Sequence, residues 1–292
     1  MIRIFYEITY IIFSFIGKYF PEKICYIISY ILTQLRYFFT PNLRKIMKKN
    51  LKIIFEFKEK RNFTESELTK YVKEVYINFG KYMTEFFTIP KLNYEKVKKK
   101  VIVENIEILD SALKKGKGVI ALTAHIGNWE LAGVITSILG YKISAVVIPY
   151  ITPKITEIYK RIRESKGVEV IFTGSNPKDF IKFKKENKIL AILGDRVFTE
   201  KGVVVDFMGK KAIFPRGPAT LAVKLKTEFI SGFLVRENNK YKLFFEKIEY
   251  PPENLNEEEK IDFLLNQSVK IIEKVILKYP TQWLSFQNIW VE

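Results

Sequence analysis

From about Val101 onward the chain alternates short β-favouring runs with stretches of helical spacing, and this alternation restricts the fold more than any other feature. The runs at 119–124, 143–149, 168–173, 189–194 and 203–207 read as strands, and the intervals at about 128–139, 155–166, 177–187 and 216–226 as helices. Strands and helices in this order predict an α/β fold, a single mostly parallel sheet flanked by helices. Asn176-Pro177 is a cap followed by a first-turn proline, a start signal for the third of these helices. Phe229–Glu237 and Lys240–Tyr250, joined by Asn238-Asn239, predict a hairpin added at a sheet edge. A last helix at about 257–278 is capped by Asn256. Upstream, Thr64-Glu-Ser-Glu67 is a capping box, and Leu68, Tyr71, Val72, Val75, Phe79, Tyr82 and Phe86 follow it at helical spacing until Pro90.

The first forty residues differ in character. Ile8–Gly17 and Ile24–Leu35 are uncharged, and Lys18 to Lys23 separate them. Each is shorter than the roughly 20 residues a helix needs to cross a bilayer. The first lacks a small-residue cleavage site and has Glu7 at its leading edge, so it does not read as a signal peptide. Two aromatic-rich helices broken at Pro21 are expected, either lying in or on a membrane or packed into the core as a hairpin. The flanking Lys18, Lys23, Arg36, Arg44, Lys45, Lys48 and Lys49 favour an anionic cytoplasmic leaflet. The expected organisation is a membrane-associated helical hairpin over 1–40 and one catalytic domain over 41–292.

A formal charge of +17 calls for an acidic partner: a nucleic acid, an anionic membrane surface or an acidic protein. Runs such as Lys96-Val-Lys-Lys-Lys100 keep nucleic-acid binding in view, but no binding motif accompanies them, and the aromatic residues cluster in apolar runs. The single cysteine, Cys25, excludes an internal disulfide. With one cysteine and one histidine, a zinc centre would need carboxylates for most of its ligands, and no metal is expected.

That one histidine, His125, stands where the run 119–124 meets a glycine-bearing turn, and Glu130 follows on the first turn of the next helix. An imidazole at a strand end suits acid–base chemistry near neutrality, and a carboxylate folding back on it would set its tautomer. Alone the pair is a weak signal, since a half-buried histidine at a strand end is also common in plain structure.

Other segments add to it. The stretch around His125 resembles the lauroyl/myristoyl acyltransferases of lipid A biosynthesis, a branch of the lysophospholipid acyltransferases that carries His-x4-Glu. In the same order, Arg44 with Asn50-Leu-Lys-Ile-Ile-Phe55, Phe79–Glu85, Arg163–Gly167, Leu193-Gly-Asp195, Val205–Gly209, Gly217–Ala222 and Tyr279–Trp283 with Phe286 and Trp290 resemble the family's other blocks. The likeness covers about residues 40 to 290. It departs at Arg196, where the family usually has Gln. It implies a glycerol-3-phosphate-acyltransferase-like fold and transfer of a fatty acyl chain from a thioester of acyl carrier protein or coenzyme A, with no cofactor. The acceptor would be a membrane glycolipid such as a lipid A precursor, another glycolipid or a lysophospholipid, acylated at the cytoplasmic face of the inner membrane. His125 would be the general base and Glu130 its orienting carboxylate. Arg163 would be a site residue that Asp195 pairs with or orients. Oxyanion donors would come from N–H groups near Gly127 and Asn128 or from a nearby cation, and Lys210, Lys211 and Arg216 would contact phosphates. A basic nucleic-acid-binding protein and a non-catalytic membrane-associated protein are the competing classes.

Overall fold

The computed structural model describes residues 2–150, 152–198 and 202–291. Four helices come first: α1 (Ile2–Tyr19), α2 (Glu22–Phe39), α3 (Pro41–Glu59) and α4 (Glu65–Thr88). Short α5 (Tyr94–Lys100), β1 (Val101–Glu104) and α6 (Ile106–Lys114) lead into the alternating region. That region runs β2 (Val119–Thr123), α7 (Trp129–Ile138), β3 (Ile143–Val147), α8 (Pro153–Glu164), β4 (Val168–Phe172), α9 (Pro177–Lys185) and β5 (Ile189–Leu193). Then come β6 (Gly202–Phe207), β7 (Lys210–Pro215), α10 (Gly217–Leu225), β8 (Glu228–Glu237), β9 (Lys240–Lys247) and α11 (Glu257–Lys278).

The main sheet has the order β1-β9-β8-β2-β5-β3-β4, parallel throughout except for the β8–β9 hairpin. The alternating β2 side chains serve both faces. Ile120 and Leu122 enter a core completed by α9, α10 and α11, while Val119 and Ala121 enter one completed by α4 to α8. Burial on both sides is why β2 carries no charged residue.

Three sequence expectations change. The run at 203–207 forms β6, but it pairs only with β7 in a separate antiparallel ribbon and not with the main sheet. The β8–β9 hairpin is not at an edge: β8 pairs in parallel with β2, and β1, which shows no periodicity over four residues, covers the outer side of β9. Finally, α1 and α2 form no detached apolar appendage. Tyr26 Oη donates to Glu85 Oε1 at 3.1 Å and Ser29 Oγ to the Gly80 carbonyl at 2.7 Å, tying α2 to α4. The approach is so close that a Cβ at Gly80 would stand 2.8 Å from Thr33 Cγ2, and one at Gly17 would stand 2.4 Å from the Phe87 carbonyl oxygen.

One side of the hairpin is therefore packed, and the other is open, with Ile27, Ile31, Leu35, Phe38 and Phe39 exposed along α2 and Ile8, Ile12 and Phe15 along α1. No helix among the described residues is long and apolar enough to cross a membrane.

Candidate active site

Parallel register builds the centre of the site. Thr123 of β2 lies opposite Leu193 of β5, so His125 and Asp195, each two residues further on, leave the carboxyl ends of adjacent strands side by side. The side chains meet: His125 Nδ1 is 2.7 Å from Asp195 Oδ1, with His125 8% exposed and Asp195 fully buried. The other carboxylate oxygen accepts the Trp283 indole N–H at 2.9 Å. Burial pushes the Asp195 pKa up, but the imidazole, Arg196 and the indole N–H outweigh it and hold the carboxyl at about 2. An ionised Asp195 can only accept, so Nδ1 carries the proton and Nε2 is left with the basic lone pair.

Burial also depresses the His125 pKa and Arg196 adds to the effect, against the opposing pull of Asp195 and Glu130. The imidazole is thus held neutral, as a base must be. Both folded values lie below their unfolded ones, so both groups contribute stability that is complete above the unfolded pKa and lost on acidification. For Asp195 that loss falls between about pH 4 and pH 2. The acid limb of the kcat/KM profile is expected to have its midpoint below about 6.5, the ordinary histidine value. A midpoint above that value in a pH-rate measurement would contradict the buried neutral imidazole.

The expectation that Glu130 orients His125 is corrected. Glu130 opens α7, whose first turn aims it at α8, and Arg163 holds both its oxygens, Nε to Oε2 at 2.7 Å and Nη2 to Oε1 at 2.6 Å. Arg163 therefore pairs with Glu130 and not with Asp195. Burial lowers the Arg163 pKa, but Glu130 more than offsets this and the net shift is upward. Tyr82 and Tyr159, buried beside the pair, and the half-buried Tyr150 have pKa values raised chiefly by desolvation and stay neutral.

The expected oxyanion donors are also already engaged. Gly127 N–H donates to the Gln282 carbonyl and Asn128 N–H to the Leu234 carbonyl, each at 2.9 Å. Gly127 has φ +62°, and a Cβ there would lie 1.9 Å from the Leu234 oxygen, so the turn tolerates only glycine. The Asn128 side chain accepts from Leu131 N–H at 2.9 Å, capping α7, and donates to Glu85 Oε2 at 2.7 Å. Arg196 is the cation that remains near His125. It donates to the Leu284 carbonyl, and its Nε is buried with no partner among the described residues.

Of the three cations expected to contact phosphates, Lys210 is exposed at the start of β7 and the other two have carboxylate partners. Lys211 pairs with Asp206 across the β6–β7 ribbon at 2.8 Å, and Arg216 pairs with Glu258 and Asp262 at 2.5 and 2.9 Å.

Sequence reasoning missed the role of the C-terminal segment. Leu284 N–H donates to the His125 carbonyl at 2.7 Å and Trp283 bridges Ile126, so residues 282–284 brace the turn that carries the base. Asn50 ties that segment to α3, donating to the carbonyls of Ser285 and Gln287 and accepting from Trp290 Nε1. Glu85 is a second buried carboxylate, joining Tyr26, Asn128 and Arg236. Glu85, a charged letter beside Phe86-Phe87, was an available signal, whereas Asn50, between Lys49 and Leu51-Lys52, carried none. Trp129 stacks on Tyr82 with centroids 4.3 Å apart and meets the imidazole edge-on at 4.8 Å.

Relatives place this geometry. A segment of the chain is 30% identical over 156 residues to a phosphatidylinositol mannoside acyltransferase of Mycobacterium tuberculosis, covering 50% of this chain and 48% of that protein. The enzyme of the same name from Mycolicibacterium smegmatis is 31% identical over 154 residues, covering 50% of each. The chain spans about half the length of these curated relatives. The model for bacterial lipid A biosynthesis acyltransferases matches residues 1–292, end to end. The chain belongs to the bacterial lipid A biosynthesis acyltransferase family.

Proposed function

We propose that this protein transfers a fatty acyl chain from an acyl thioester, of acyl carrier protein or coenzyme A, to a hydroxyl of a membrane glycolipid. The observation that carries the reading is the buried His125–Asp195 pair, a neutral imidazole oriented by an ionised carboxylate at the carboxyl end of a parallel sheet. Nε2 takes the proton of the acceptor hydroxyl as its oxygen bonds to the thioester carbonyl carbon. The imidazolium that forms is stabilised by Asp195. The tetrahedral oxyanion then collapses, the C–S bond breaks, and the departing thiolate receives the proton from Nε2. With the Gly127 and Asn128 N–H groups engaged, Arg196 is the donor best placed to stabilise the oxyanion. Phe198, exposed and with its ring 6.4 Å from the imidazole, offers an apolar surface for the acyl chain.

The acceptor in this reading is a lipid-anchored sugar. The phosphatidylinositol mannoside acyltransferases among the relatives and the family's lipid A association both support a glycolipid. The open apolar side of α1 and α2 supports work at a membrane surface, and the basic residues flanking the hairpin suit an anionic cytoplasmic leaflet. The basic surface suits both anionic lipid and an acidic carrier protein.

Lipids extracted from cells with and without the gene, compared by mass spectrometry, test this reading. A glycolipid lacking one acyl chain is expected when the gene is absent. Identical glycolipid profiles, together with no acyl transfer by the purified protein to those glycolipids, would overturn it.

A further inference from the structure

Arg61, Arg161, Arg163, Arg216 and Arg236 each hold a carboxylate. Arg36 and Arg44 do not. They stand on either side of the corner at Thr40, one in the last turn of α2 and one in the first turn of α3, and neither forms an ion pair among the described residues. Both are nevertheless seated. The Arg36 guanidinium lies over the rings of Phe79 and Phe286, at 4.5 and 5.3 Å, and the Arg44 guanidinium over Tyr37 at 4.8 Å. Tyr37 in turn packs edge-on to Tyr76, and Tyr76 to Phe286, both at 5.3 Å. Stacking fixes the planes of the two forks and leaves their edge N–H groups to bond something else. Arg36 Nε is buried with no partner among the described residues. At the corner between them Thr40 Oγ1 donates to the Arg36 carbonyl at 2.7 Å and lies 2.8 Å from the Tyr76 hydroxyl, which pins the end of α2 that carries Arg36.

The location narrows the ligand. Leu35, Phe38 and Phe39 beside the pair belong to the exposed apolar side of the hairpin, so the site lies where lipid headgroups would meet the protein. On its inner side, contacts between rings lead to the base: Phe79 to Tyr82 at 6.1 Å, Tyr82 to Trp129 at 4.3 Å, and Trp129 to His125 at 4.8 Å. Phe286, under Arg36, is two residues beyond Leu284, whose N–H holds the His125 carbonyl. A group bound by these arginines is thus on the same side of the molecule as the reacting hydroxyl.

We propose that Arg36 and Arg44 are the receptor for the phosphate of an anionic acceptor lipid, anchoring its headgroup at the membrane surface while its sugar reaches His125. The inference rests on the proposed transfer to a membrane glycolipid. Paired guanidiniums bind phosphate oxygens in parallel N–H···O bonds, and the positive end of α3 at Pro41 adds to the same field.

The test measures binding rather than turnover. The purified full chain is titrated with phosphatidylcholine vesicles, plain, doped with phosphatidylglycerol, or doped with an uncharged glycosyl diacylglycerol. Wild type is expected to prefer the phosphatidylglycerol vesicles by about tenfold or more. Arg36→Gln/Arg44→Gln is expected to lose that preference while binding plain vesicles as before. Lys98→Gln/Lys99→Gln removes the same charge from exposed positions on α5 and is expected to change the preference by less than about threefold. If both double variants lose it equally, the basic surface acts as a whole and the proposal fails. Arg44→Gln alone, checked by circular dichroism, keeps the test valid should the double variant not fold. Inorganic phosphate and coenzyme A are titrated without vesicles. Saturable, arginine-dependent binding of either at the affinity seen for the lipid would assign the site to a soluble phosphate or to the donor's arm, and so overturn the lipid assignment. His125→Ala is expected to bind vesicles like wild type, so failure of the acyltransferase reading and failure of the phosphate site show separately.

Discussion

Replacing His125 by alanine is expected to lower kcat/KM for acyl transfer at least about 10³-fold, with the protein still folded. Asp195→Asn should come close to it, at about 10³- to 10⁴-fold, although the shape of the side chain is unchanged. An asparagine presents an N–H₂ or a neutral oxygen to Nδ1 in place of a carboxylate whose pKa is held down at about 2. It therefore neither enforces the Nδ1–H tautomer nor stabilises the imidazolium formed as the hydroxyl proton moves. Glu130→Gln is the informative contrast. Its oxygens are occupied by Arg163, so its main effect should be on stability, with a smaller loss in kcat. Single-turnover rates for the two variants decide which carboxylate serves the base. A larger loss of rate in Glu130→Gln than in Asp195→Asn would reverse the assignment.

The second large effect is expected from Arg163→Met. The Arg163 and Glu130 side chains are 5% and 10% exposed, and the arginine also lies beside the rings of Tyr159 and Phe86. Removing the cation leaves a carboxylate among buried tyrosines, a loss expected to cost about 3–5 kcal/mol. For a chain of this size that lowers Tm by roughly 10 °C. Arg163→Met/Glu130→Leu, with no charge left to strand, should recover most of the loss, because two apolar side chains of similar volume can replace a buried pair. Calorimetry of the two single variants and the double variant measures the coupling. Additive losses would mean the pair does not act as a unit.

These two pairs also show where sequence reasoning succeeded and where it could not. Local chemistry is local in sequence, so it was legible. Thr64 and Glu67 form the expected capping box, Asn256 caps α11, Asn176 caps a helix beginning at Pro177, and α1 and α2 break at Pro21. The alternation of β-favouring and helical segments indicated the parallel sheet, because each strand must be covered on both faces. A strand end followed by a helix start marked His125 with Glu130, and the resemblance to the family marked Arg163 and Asp195. How they pair was not legible. Glu130 is five residues from His125, but a residue on the first turn of a helix points where the helix axis sends it, and α7 sends it to α8. Asp195 is seventy residues away, and what brings it to Nδ1 is the register of β2 on β5. The brace from Trp283 and Leu284 is more distant still. Residue types, caps and strand runs were decided by the sequence alone, since they depend on neighbours within a few positions. The partner of the base, the engagement of the Gly127 and Asn128 N–H groups and the open side of the N-terminal hairpin were decided by the tertiary structure. Each depends on strands and helices packed together from far apart in the chain.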